Sequence, residues 1–522
     1  MKNKKIYIPI IIIAIAIIFF SYAPVITFDT SHYLWLVNML SPNAAFADWD
    51  IARGLVFPLM IYASTIIFGA GSDGILVTMF IMYMTMISFV YLTFKKAIKD
   101  FKVFENVRNR IILGVLVSIL IIFNPIVFGY YHVLLTEFVG MTLAVVMTYL
   151  SWDWIDFDFK DNKKKYIIYT LVFSILTAFA WSLKQPYVSC VMFPILVASL
   201  IAIIRKFNVK QVIQRIVTII VCIIMLIISI VIWNKILEFG HVSMQEDRTS
   251  ESFLSNGIID GITQLEETGI NNIKEIEISE KDQKEIENIA NGTSKYKNYK
   301  LFKNKNENSK GMVLFSKEEN PSTGESIKFW FKTLGTTPST IIRSYINNYL
   351  CTINIFKITF TGPASEVTTE LNLFGAAENE AISYKIYRDL DSNVFPTLEG
   401  YEPFVEPYKS KQEPIKIVNV TMKALGRFST MCAKVGFLIL PIVLIWVIVV
   451  TIKNRKETNK HKLYDLLIVL LGFSYLHVLM HIVLGACIDR YTVPAIVPMY
   501  TSYIIIGYMI FENRKNKTKL PK

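Results

Sequence analysis

The chain predicts a mostly α, polytopic membrane protein of about 10 transmembrane helices, and three observations carry that prediction. Of 522 residues, 53% are hydrophobic and only 18% charged, and the mean hydropathy is +0.43, a balance that water-soluble domains rarely reach. Apolar runs able to cross a hydrocarbon core, which takes about 20 residues of helix, recur near 6–26, 73–94, 110–128, 137–154, 166–183, 187–204, 215–236, 435–452, 463–486 and 493–511. The segments between these runs alternate in charge.

With the N-terminus placed inside, the inner segments are 1–5, 95–110, 153–165, 205–215, 453–462 and 512–522, and together they hold 27 Lys and Arg. The short outer segments 27–57, 129–136, 184–186 and 487–492 hold only Arg53, Lys184 and Arg490. That asymmetry is the positive-inside pattern, and it puts both termini inside. It also absorbs most of the net charge of +12. The basic balance is therefore a topology signal, and the bilayer rather than a nucleic acid is the expected partner.

The elements follow in order. "MKNKK" resembles the basic start of a signal peptide, but the apolar run after it is too long and no small-residue cleavage site follows, so the first helix is expected to stay. The outer segment 27–72 contains "TSHYLWLVNML", a short amphipathic helix with Tyr33, Leu34, Val37 and Leu40 near one face. "ARGLVFPLMIYASTIIFG" comes next, with Pro58 early and Gly69 and Gly71 closing it. It is short for a span, and counting it as one would invert every later loop, so it is expected to lie in the outer interface. The stretch 237–434 breaks the apolar pattern. Acids and bases interleave over 270–310, as in solvated helix and loop, while the aromatic, apolar stretch 327–360 is expected to pack on the membrane surface. Three units result: an N-terminal transmembrane module (1–236), an extracytoplasmic domain (237–434) between spans seven and eight, and a C-terminal transmembrane module with a basic tail (435–522). No internal repeat of fixed period is present.

Ionisable groups at membrane level are costly and mark function by default. Asp29 follows the first apolar run in "TFDTSHYLW", beside His32. It reads equally as the N-cap of the helix after it and as a functional carboxylate. Asp48 and Asp50 lie on the same face, with Asp50 the stronger candidate. Glu137 ends "NPIVFGYYHVLLTEF" and opens span four, where the helix dipole favours an acid whatever its role. Lys184, in "WSLKQPY", and Arg490, in "CIDRYTVPAIVP", are cations where topology disfavours them. They either snorkel to the interface or bind a phosphate, Arg as a bidentate fork and Lys as a point charge. His477 and His481 lie four apart in "HVLMH", without the Glu of a zincin helix, and read as packing or hydrogen-bonded histidines. The five cysteines (Cys190, Cys222, Cys351, Cys432, Cys487) show no metal or disulfide spacing. Phosphate-binding P-loop, dinucleotide fingerprint and nucleophile-elbow motifs are absent from the sequence.

The order of these elements resembles the GT-C superfamily of membrane glycosyltransferases, closest to its protein O-mannosyltransferase and aminoarabinose-transferase branch. An acid follows the first span ("TFDTSHYL"). A Trp/Arg/Pro stretch precedes an interfacial helix ("DWDIARGLVFPLMIYASTIIFG"). A Pro…Leu-Thr-Glu run enters span four ("NPIVFGYYHVLLTEFVG"). A basic-x-Pro element opens a span ("LKQPYVSCVMFP"), and Arg-Tyr-x-x-Pro opens the last ("DRYTVPAIVP"). The likeness covers roughly 1–236 and 463–511. Many relatives carry an Asp-Glu pair where this chain has Asp29-Thr30, and Arg where it has Lys184-Gln185-Pro186.

The resemblance implies transfer of a hexosyl or pentosyl group, with inversion, from a polyprenyl-phosphate sugar to an extracytoplasmic acceptor: a cell-wall polymer, a lipid-linked glycan or a protein. It implies Asp29 as general base and Glu137 as a second catalytic carboxylate that positions the acceptor or holds a cation. Lys184 and Arg490 would bind the donor phosphate, with Arg53 in reserve, and Asp50, His32 and Tyr491 would position acceptor or cation. No tightly bound cofactor is expected beyond the lipid-linked cosubstrate, and a divalent cation is left open. A multi-pass plasma-membrane location follows, with the active site facing outside, and the richness in Ile, Lys and Asn hints at a bacterial source. The competing class is a transporter or flippase for lipid-linked glycans, whose charges should line a midplane path between two similar halves.

Overall fold

The computed structural model describes residues 4–21, 46–49, 53–68, 72–100, 106–155, 163–205, 208–242, 279–291, 323–353, 416–453, 461–483 and 489–517, together with 30, 33–34, 36–37, 39–40 and 157. Helix accounts for 92% of the described residues and no strand is among them, so the mostly α class holds. The helices are α1 (Lys4–Phe20), α2 (Val56–Phe68), α3 (Ser72–Ala97), α4 (Val107–Val117), α5 (Pro125–Tyr130), α6 (Glu137–Ile155), α7 (Lys163–Leu183), α8 (Val188–Arg205), α9 (Val209–Phe239), α10 (Glu280–Asn291), α11 (Thr323–Thr336), α12 (Pro338–Ile353), α13 (Lys416–Lys453), α14 (His461–Val483) and α15 (Val493–Lys517).

Eight of them are long and apolar enough to cross a membrane: α3, α6, α7, α8, α9, α13, α14 and α15. Two of the ten expected spans are not in that group. The first is the shorter apolar helix α1, whose residues beyond Ser21 up to Asp29 lie outside the described set. The other, expected over 110–128, is interrupted. α4 passes into a π-helical turn at Ser118–Ile122, Phe123 leaves helical geometry, and Asn124 caps a new helix with Pro125 at its first position. Proline there lacks the N–H that the preceding turn would need. The 13-residue α2 matches the expected short helix. The described residues of the stretch 30–37 are helical too, with Tyr33, Leu34 and Val37 buried and Leu40 partly so. α13 begins at Lys416 and runs unbroken across residue 434, where composition alone drew a boundary.

α6, α8, α14 and α15 form the centre. Buried residues make up 78% of the apolar stretch in α6 and α14, against 17% in α9. α9 instead exposes Ile213, Ile220, Ile224, Ile227 and Val231, a continuous apolar face that water would penalise and lipid would not. α7 lies between α8 and α9, α3 packs on α6, and α2 bridges α3 and α7. α12 lies against α13, α14 and the turn at Asp489–Thr492, with Asn348 Nδ2 donating to the Ile482 carbonyl at 3.3 Å.

The end of the bundle where α6 finishes is tied by charge. Asp153 accepts from Lys96 (2.9 Å), Lys165 (3.3 Å) and Tyr169 (2.6 Å), which joins α6 to α3 and α7. Arg205 pairs with buried Asp465 at 2.6 Å, joining α8 to α14. Arg215 donates to the carbonyls of Trp154 (3.0 Å) and Ile155 (3.1 Å) and lies over the Trp154 ring. It thereby caps the C-terminus of α6 with positive charge, where backbone acceptors have no helical partner. Cations that the sequence yields only as a topology signal thus also fasten the helices. Arg215→Leu removes two charged hydrogen bonds at a site only 2% exposed. A loss of about 2–4 kcal/mol is expected, seen as a thermal midpoint lowered by several degrees in detergent-solubilised protein; a wild-type midpoint would contradict the capping role.

Candidate functional site

At the opposite end of α6, the chain between α5 and α6 is not a solvated loop. Every residue from Asn124 to Val145 is buried. Tyr131 hydrogen-bonds Thr142 at 2.7 Å. His132 places Nδ1 2.8 Å from the Phe128 carbonyl and Nε2 3.0 Å from the Phe19 carbonyl, with Phe19 packed on its ring at 4.1 Å. The neutral ring carries one N–H, so His132 donates to one of these carbonyls, of α5 or of α1, and faces the other. Burial draws its pKa down from 6.5 to about 4, although both carbonyls pull the other way. The unfolded chain then binds the proton more readily. The stability this residue contributes is full above pH 6.5 and is lost as pH falls toward 4, by about 3 kcal/mol in all. A thermal midpoint that drops between pH 7 and pH 4.5 more steeply in the wild type than in His132→Gln is the expected result.

The turn after His132 delivers Glu137. Thr30, the residue that follows Asp29, donates its hydroxyl to the Leu134 carbonyl at 2.8 Å, so the segment after α1 is fastened beside this turn. Glu137 opens α6, and its buried carboxylate lies 3.9 Å from Lys184 Nζ. Lys184 closes α7 and directly precedes the short turn Gln185–Tyr187. Its ammonium lies 4.4 Å from the centre of the Tyr491 ring and 5.7 Å from that of Tyr187. Tyr187 is fully buried, its hydroxyl 3.3 Å from that of Thr136, within electrostatic reach of Glu137 and Tyr33. Gly140, one turn into α6, makes room for it: a Cβ there would meet the Tyr187 ring at 3.0 Å and Pro494 at 3.3 Å.

Arg53 joins from the segment between α1 and α2. Its guanidinium donates to the Tyr33 hydroxyl at 3.1 Å, and Tyr33 packs edge-on to Phe57 at 4.8 Å. Gly54 sets the approach, because a Cβ there would fall 2.0 Å from the Ser182 carbonyl oxygen at the end of α7. Only glycine lets the two backbones come so close. α14 contributes His477, bonded to Ser189 and to the Tyr491 carbonyl, and His481, stacked on the Tyr491 ring at 5.2 Å.

Four sequence-predicted residues are therefore described, and they gather at one end of the bundle: Lys184 reaches both Glu137 and Tyr491, and Arg53 bonds Tyr33, which lies within electrostatic reach of Tyr187. Arg490 has its backbone in the turn before Tyr491, while its side chain lies outside the described residues, as do Asp29, His32 and Asp50. Tyr187 and His481 were not singled out for the site by sequence. The available signal for Tyr187 was a tyrosine after Lys-Gln-Pro, in the same turn as Lys184. Among the described residues, no three His, Cys, Asp or Glu side chains come together as metal ligands. Chemically, the arrangement offers an acid and an ammonium held out of bulk water beside two phenol rings, which suits binding of an anionic, hydroxyl-rich molecule. No protein family, curated protein or solved structure matches this chain.

Proposed function

We propose that the chain is an integral-membrane glycosyltransferase of the GT-C type, moving a sugar from a polyprenyl-phosphate donor to an acceptor on the outer side of the plasma membrane. The observation that supports this reading is that half-buried Lys184 meets both the buried Glu137 and Tyr491, three residues from distant motifs whose shared order carried the resemblance. In the proposed reaction an acceptor hydroxyl attacks the anomeric carbon. The bond from that carbon to the phosphate oxygen breaks, and the polyprenyl phosphate leaves with its electron pair. Asp29 takes the hydroxyl proton, Glu137 orients the acceptor, and Lys184 and Arg490 offset the charge that grows on the leaving phosphate. Arg53, bonded to Tyr33, is the reserve cation for the same role.

Purified protein in liposomes, supplied with a panel of polyprenyl-phosphate sugars and candidate acceptors, tests the reading. Mass spectrometry should find free polyprenyl phosphate and glycosylated acceptor in equal amounts. Movement of intact donor lipid between leaflets, with no phosphate released, would establish the flippase class instead.

A further inference from the structure

His477 and His481 occupy successive turns of α14, yet their surroundings differ. His477 is bonded on both sides, with Ser189 Oγ 2.7 Å from Nδ1 and the Tyr491 carbonyl 2.9 Å from Nε2. His481 is only 1% exposed, and among the described residues neither of its ring nitrogens meets a hydrogen-bond partner. Folded proteins seldom leave a buried polar group in that condition without a reason.

Packing alone does not supply the reason, because a phenylalanine would fill the same space without two polar atoms. The contacts instead fix the ring. Its plane lies 12° from that of Tyr491 and 82° from that of His477, with centroids 4.7 Å apart in the latter pair. The next residue, Ile482, has its carbonyl bonded by the buried Asn348 of α12, which steadies this turn of α14. Lys184 approaches the same Tyr491 ring and lies within electrostatic reach of His481. An oriented, buried N–H donor within electrostatic reach of a half-buried ammonium matches the chemistry that recognises a phosphate oxygen.

We propose that His481 is a ligand-contacting residue: it donates a ring N–H to a non-bridging oxygen of the polyprenyl phosphate, next to Lys184, while Tyr491 and His477 hold its ring in place. The proposal rests on the glycosyltransferase reading and extends its phosphate site to a residue on α14.

The test is direct binding of polyprenyl monophosphate to the full-length protein in lipid nanodiscs, read by tryptophan fluorescence, with inorganic phosphate as competitor. His481→Phe keeps the stack and removes both nitrogens, while His481→Gln keeps a donor. The expected results are a loss of affinity of at least about tenfold in the Phe variant, near-wild-type binding in the Gln variant, and displacement of the lipid by inorganic phosphate from the wild type. The Phe variant should melt no lower than the wild type, since it removes a polar group that the fold leaves unserved; a purely structural histidine would predict the reverse. Should the Phe variant not assemble, His481→Met against His481→Gln makes the same comparison. Wild-type affinity in the apolar variant would overturn the contact and leave the transferase reading standing, whereas failure of the wild type to bind polyprenyl phosphate would overturn both.

Discussion

Asp29→Asn is expected to lower sugar transfer about 100- to 10,000-fold with little change in folded yield or thermal midpoint. The substitution keeps the side chain's size. Asparagine also caps a helix as well as aspartate does, so the structural role that competes for this position survives. What disappears is the ability to take a proton from an attacking hydroxyl. Thr30 is fastened to the Leu134 carbonyl, three residues before Glu137, so the chain next to Asp29 is held at the entrance to α6 whichever residue occupies position 29. Transfer at the wild-type rate from lipid-linked donor in membranes carrying the variant would remove Asp29 as base. A collapse of folded yield would show that its charge serves the helix that follows.

Much of the bundle was legible because a membrane span writes itself locally. α9 needs only a run such as "VTIIVCIIMLIISIVIW" to be found, and its exposed isoleucines need no partner to explain them. The site was legible for a different reason. Cations in short segments expected outside violate a simple charge pattern, so Lys184 and Arg490, with Arg53 in reserve, stood out before any contact was known. Tyr187 and His481 broke no such pattern. A tyrosine after proline and a histidine on an apolar helix face are ordinary in sequence, and they gain meaning only from neighbours far along the chain: Thr136 for the first, Tyr491 and Lys184 for the second. The interrupted helix near Phe123 was hidden too, because hydropathy averages across Asn124-Pro125, while the backbone does not. Arg215 shows the limit from the other side. It was counted as one more inner cation, and nothing local revealed that its target is the last turn of α6.

The pairing of Lys184 with Glu137 separates binding from support most sharply. The Glu137 side chain is 2% exposed and that of Lys184 16%, so removing the ammonium takes a counter-charge from a buried carboxylate, to which Thr136 still donates at 3.4 Å. Breaking a buried pair in this way costs about 3–5 kcal/mol, and the separation of 3.9 Å points to the lower end of that range. Lys184→Met, which keeps an unbranched side chain without the ammonium, is therefore expected to lower the thermal midpoint by several degrees and transfer by at least about 100-fold, the scale of losing one charge-stabilising donor. Adding Glu137→Gln removes the buried charge that has lost its counter-ion. The double variant should regain most of the midpoint, because one uncharged pair replaces another. Transfer should stay low, because neither the ammonium for the phosphate nor the carboxylate for the acceptor is restored. If the pair only held α6 to the end of α7, midpoint and transfer would recover together in the double variant. Stability and catalysis that part company there would mean that the bundle tolerates a neutral pair at this position and that the charges are kept for the substrate.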